Sequence, residues 1–251
     1  MAPARTIDEV IDQLTHIIAT SRGRGSCDGY FAALYREVTA AVRERIGRGW
    51  FDDGPRMERF DVIFANRYLD AWARHEGGDP AGAAWEVAFE AERAFWPVVL
   101  QHLFLGMNAH INFDLGLAAA AVAPGAEINR LKADFDRINQ LLAGLVNDVE
   151  NRLARVWPPL RRLDGYAGGA EEAVARFSLG AARDYAWSLA TAVAAAPDAA
   201  AQDALARGAD VWAAVLARGI LHPGFPAAPI LLWVRLCERG PVARKLAVLS
   251  G

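Results

Sequence analysis

Cysteine is scarce. Cys27 and Cys237 are the only two in 251 residues, too few and too far apart for a disulfide framework or a Cys-x-x-Cys metal knuckle, so a reducing cytoplasm is the expected setting. No charge of one sign dominates either: 27 lysines and arginines stand against 30 aspartates and glutamates. The basic residues are scattered rather than striped, which argues against a nucleic-acid surface. The histidines form no His-Glu-x-x-His zinc motif and no Glu-x-x-His pair of a di-iron bundle. No serine sits in a Gly-x-Ser-x-Gly turn, neither cysteine has a histidine beside it, and there is no Walker loop or dinucleotide fingerprint. Nucleophilic catalysis by a local motif is therefore unsupported. Short alternating runs with Asn-Gly turns are missing, as is any repeat of fixed period. The amino terminus has no long apolar segment, so no signal peptide is expected.

What the sequence has is helical periodicity. With 53% hydrophobic residues the chain can bury a large core, and it reads as one all-α domain, 1–251, of about nine helices. Thr6-Ile7-Asp8-Glu9 has the capping-box form that opens a first helix. Asp28 is placed to cap a second, striped by Phe31, Leu34, Val38, Val42 and Ile46. A third, over about 56–75, carries Phe60, Ile63, Phe64 and Ala71 on its apolar face, with Arg67 among them and Asp61 and Tyr68 on the flank. Trp85, Phe89 and Trp96 line a fourth. A long stripe from Ile128 through Leu131, Phe135, Ile138, Leu142, Leu145, Val149, Leu153 and Val156 runs to a stop at Trp157-Pro158-Pro159. Gly165–Gly169 reads as a linker or lid. Val174, Phe177, Ala181, Tyr185 and Ser188 mark a further helix, Asp198 caps the next, and an apolar helix follows around 229–238.

The most informative stretch lies at 97–123, with Pro97 as its expected first helical residue. This mostly apolar run contains Gln101, His102, Asn108, His110, Asn112 and Asp114. It is long enough to cross a bilayer, but those polar groups would make insertion very costly, so it reads as a helix in a protein core rather than a membrane span. At about 100° per residue, His102, Gly106, His110 and Asp114 share one face, and Gln101, Asn108 and Asn112 another. Each polar group buried without a partner costs roughly 1–3 kcal/mol, so the helix is either a polar hub of the core or the wall of a site. His102 is about 12 Å along the axis from His110 and cannot join it directly.

At this point the sequence resembles a bacterial and fungal family known only as domain of unknown function number 5995. The resemblance rests on Gln-His-Leu-Phe-Leu-Gly-Met-Asn-Ala-His-Ile-Asn-Phe-Asp-Leu-Gly at 101–116, on Phe60-Asp61-Val62-Ile63-Phe64-Ala65-Asn66-Arg67-Tyr68, and on Asp134-Phe135-Asp136-Arg137-Ile138-Asn139. It implies no activity.

The residues themselves suggest a small-molecule enzyme. His110, oriented by Asp114, is the expected general acid or base, with Asn108 or Asn112 hydrogen-bonding a substrate oxygen and Arg67 neutralising charge. Gln101, His102, Asp61, Tyr68 and Asp134 are expected to line the substrate site. Cyclisation, elimination, isomerisation and hydrolysis all fit this equipment. No cofactor is required. A divalent metal held by His110 and Asp114, in a hydrolase or oxygenase, would need Asp61, Asp134 or His102 to converge as further ligands. The competing reading is a non-catalytic helical binding or scaffold protein whose polar helix is structural. A homo-oligomer is left open. Arg67 is expected to point inward and pair with Asp114 or Asp134.

Overall fold

In the computed structural model, residues 1–156, 179–225, 227–238 and 240–250 are described, with side chains omitted over 143–156. The described residues are helical throughout, without a strand. In chain order the α-helices are α1 (Ile7–Arg24), α2 (Gly29–Gly47), α3 (Gly54–Gly77), α4 (Ala83–Glu90), α5 (Val99–Ala109), α6 (Gly116–Val122), α7 (Ile128–Val156), α8 (Leu179–Ala194), α9 (Ala199–Leu221), α10 (Ala227–Cys237) and α11 (Val242–Leu249). Between α5 and α6 the same rod continues as a π-helix, His110–Leu115. No described helix is long and apolar enough to cross a membrane.

Local signals account for most helix ends. Thr6 accepts a hydrogen bond from the Glu9 N–H at 3.2 Å, while the Glu9 carboxylate accepts from Arg5 rather than from Thr6 as a reciprocal box would require. Asp53 caps α3 through Arg56 N–H, and Asp198 caps α9 through Ala201 N–H, each oxygen filling one donor that a helix start leaves bare. Gly78 ends α3 at φ 80°, a left-handed conformation that favours glycine.

Other expectations need correction. The central helix does not open on Pro97: it begins at Val99, with Val98 as the cap and its N–H donated to the Gln101 side chain at 3.1 Å. The helix containing Trp85 and Phe89 stops at Glu90, and a 3₁₀ turn, Ala91–Arg93, leaves Trp96 outside it and 62% exposed. The short α11, which follows Pro241, is an addition to the helices expected from the sequence. The Trp157–Pro159 stop, the Gly165–Gly169 linker, the start of the helix at Val174 and Phe177, and the far half of the α7 stripe lie outside the described residues or side chains.

The rod α5–π–α6 is the axis of the molecule. It packs against α2, α3 and α4 on one side and α8 and α9 on the other. Two glycines permit this. A Cβ on Gly106 would lie 2.4 Å from the Phe31 ring of α2, and one on Gly116 would lie 2.6 Å from the Ala186 carbonyl of α8. The room left by Gly106 is thus filled by a phenylalanine. Gly106→Ala is expected to destabilise the fold by about 1–2 kcal/mol: overpacking costs about 1–3 kcal/mol, and the better helix propensity of alanine returns up to about 1. Chemical denaturation checks this, and an unchanged midpoint would mean that α2 can shift to accept a methyl group.

Candidate functional site

The two polar rows expected on the central helix face opposite ways. His110 and Asp114 point toward α2, α3 and α4. Asp114, 1% exposed, accepts hydrogen bonds from Arg67 Nε at 2.9 Å, Trp85 Nε1 at 3.0 Å and His110 Nδ1 at 3.1 Å. One buried carboxylate therefore ties α3 and α4 to the π-helix. A π-helix widens the helical turn and is frequently found at functional sites. Here it spans both members of the His110–Asp114 pair.

Arg67 points inward as expected, and its partner is Asp114. Asp134 is engaged elsewhere, with Arg56 and Arg137. The Arg67 guanidinium lies 5.2 Å over the Phe113 ring. Its Nη1 and Nη2 make no hydrogen bond to a described residue, and its side chain remains 33% exposed. It thus lines the inner wall of a cleft of about 400 Å³, together with Asn66, Arg74, Trp85, Phe113 and Asp114.

His110 lies beneath that wall. Its ring stacks on Phe64 at 3.6 Å and 8°, and Tyr35 approaches edge-on at 4.5 Å. Burial lowers its pKa, and the hydrogen bond and charge of Asp114 offset this only in part, so the imidazole is neutral at pH 7. The bond to Asp114 assigns the proton to Nδ1 and leaves a lone pair on Nε2. That atom is buried without a hydrogen-bond partner among the described residues, and so are the Tyr68 hydroxyl and one oxygen of Asp61. Burial, then the charge of Glu58, pushes Asp61 up to about 8, so it carries a proton near neutral pH. Buried polar atoms are seldom left unpaired, and the charge of Asp61 acts on Tyr35, whose ring meets that of His110.

The remaining expected site residues are not brought together with these. Gln101 caps its own helix and donates to the Ile220 carbonyl at 2.8 Å. Asn108 donates to the Ala213 carbonyl at 2.7 Å, and Asn112 donates to Asn108 Oδ1 at 3.0 Å. All three line a second, mostly apolar cavity of about 500 Å³, with Phe104, Tyr185 and Trp212. His102 packs edge-on against Tyr30, and burial, then Arg235 and Lys245, pushes it down to about 4. Asp134 ties α7 to the start of α3. Neither Asp61, His102 nor Asp134 converges with His110 and Asp114 into a group that could hold a metal, and N–H donors already occupy both Asp114 oxygens.

Sequence reasoning missed Trp85 as a donor, Phe64 as a cover for His110, and Tyr35 as a neighbour. Trp85 and Phe64 read only as core aromatics, because a period of three to four residues reports which face is buried and not what it meets. Tyr35 falls outside the α2 stripe and carried no signal.

No curated protein and no solved structure matches the chain. A family model matches residues 7–223, which include every residue of the Arg67–Asp114–His110 unit. The chain belongs to the family of unknown function DUF5995.

Proposed function

We propose that this protein is an enzyme acting on a small molecule that carries a carboxylate or comparable acidic group. That group is held in the cleft by the Nη atoms of Arg67, and His110, oriented by Asp114, moves the proton. The reading is carried by one observation: Asp114 is held by three donors, one of which is a neutral histidine whose other nitrogen is buried without a hydrogen-bond partner among the described residues. A network built only for stability would close that valence. In the forward direction His110 Nε2 accepts the proton and Asp61 or a tyrosine supplies one, which suits isomerisation, elimination or cyclisation. Because Phe64 covers the imidazole, its ring must turn aside for a substrate atom to reach Nε2.

A second reading has its own observation. His110 is only 2% exposed, as in a purely structural hub of a helical binding or scaffold protein. The two readings separate on incubation of the parent, Arg67→Gln and His110→Gln with a metabolite extract, followed by mass spectrometry of what is retained and what is converted. An acid-bearing compound is expected to be retained by the parent and lost from Arg67→Gln. Its conversion is expected to fall about 10²–10⁴-fold in His110→Gln, with a melting temperature near that of the parent. If the parent retains and converts nothing, and His110→Gln mainly lowers the melting temperature, the hub reading stands.

A further inference from the structure

We propose that Asp28, His75 and Glu92 form a binding site for a divalent transition-metal ion of the zinc and manganese class, separate from the His110 unit. The three come from distinct segments: Asp28 precedes α2, His75 lies in the last turn of α3, and Glu92 lies in the 3₁₀ turn after α4. One ligand atom from each falls within 4.8 Å of the others. Bonds of about 2.0–2.2 Å to one ion place such atoms about 3–4 Å apart, so small side-chain rotations close the site.

Asp28 stands at the cap position of α2 but makes no side-chain cap hydrogen bond. His75 is held by stacking on Phe89, with centroids 4.5 Å apart and planes at 19°. Neither Asp28 nor Glu92 has an ion-pair partner among the described residues; the Asp28 carboxyl is hydrogen-bonded to the side chains of Glu92 and Ser26, with Glu76 adding a further negative charge. Glu76 itself is paired with Arg24. One imidazole and two carboxylates form a mixed nitrogen and oxygen set that suits zinc or manganese better than calcium or copper(I), and all three residues are half-buried, which leaves coordination positions for water. The site is about 12 Å along α3 from Arg67.

Chelator-treated, untagged protein is titrated calorimetrically with zinc and with manganese, and its cobalt(II) complex is followed by visible absorption. One equivalent of at least one ion is expected to bind, with a rise in melting temperature. His75→Gln and Glu92→Gln are expected to weaken binding by more than about tenfold and to change the cobalt spectrum, whereas His110→Gln leaves both as in the parent. Circular dichroism confirms that each variant is folded, and Asp28→Asn replaces any that is not. Absence of stoichiometric binding by the parent, unchanged affinity in the folded variants, or dependence on His110 instead of His75 would each overturn the assignment.

Discussion

Asp114→Ala is expected to destabilise the fold by about 3–5 kcal/mol, the range typical of breaking a buried charged pair from one side. The substitution strands three donors at once: the buried indole N–H of Trp85, the His110 Nδ1–H and the Arg67 guanidinium. Only Arg67 can reach water, because its side chain is 33% exposed, while the histidine side chain is 3% exposed. Arg67→Leu leaves a buried carboxylate with two neutral donors and is expected to cost less, about 3 kcal/mol. Arg67→Lys should recover part of that, since an ammonium supplies charge but not the Nε–H direction. Equilibrium urea denaturation checks all three. If Asp114→Ala unfolds at the parent midpoint, the carboxylate is not the tie between α3, α4 and the π-helix.

Asp134→Ala is the second large effect, about 2–4 kcal/mol, because its fully buried carboxylate serves four donors. The Asp52 and Asp53 N–H groups bond it at 2.8 and 3.1 Å, and Arg56 and Arg137 bond it at 3.0 and 2.7 Å. The substitution leaves backbone donors and guanidinium groups at the start of α3 unpaired. Although burial works to raise its pKa, those donors hold Asp134 below its ordinary value. Its stabilisation is therefore fully present above the unfolded pKa of about 3.9 and is lost as pH falls through the lower folded value. His102 and His110 act earlier. Both are lowered by burial, so the unfolded chain takes up protons below about 6.5 that the folded chain refuses until about 4 at His102. Asp61, raised to about 8, works the other way and adds stability as pH falls from about 8 towards 4, so the histidine contribution is read as a difference: His102→Gln should lose less stability than the parent between pH 6.5 and 4, and Asp134→Ala should remove the loss below about 4. An unchanged pH dependence in His102→Gln would contradict the burial of that imidazole.

Much of this was readable from the residues alone. Helical period placed α1, α2, α3 and the central rod, the last at about 97–123 against an observed 99–122, since a stripe every three to four residues is a one-dimensional property that needs no partner. The same geometry separated His110 and Asp114 from Asn108 and Asn112, because 100° per residue is set by the backbone. It also turned Arg67 inward, since an arginine between Phe60, Ile63, Phe64 and Ala71 shares their face. The choice between Asp114 and Asp134 as its partner required the packing of α3 on the central rod. So did the fate of Gly106, whose space admits a ring of α2, and the π-helix at His110–Leu115, which no residue pattern marked. The pairing of Trp85 with Asp114 and the meeting of Asp28, His75 and Glu92 join positions far apart in sequence. Periodicity says which way a side chain faces along its own helix. Which side chain it faces across the interface depends on crossing angles and axial offsets, and those are settled only when the helices pack.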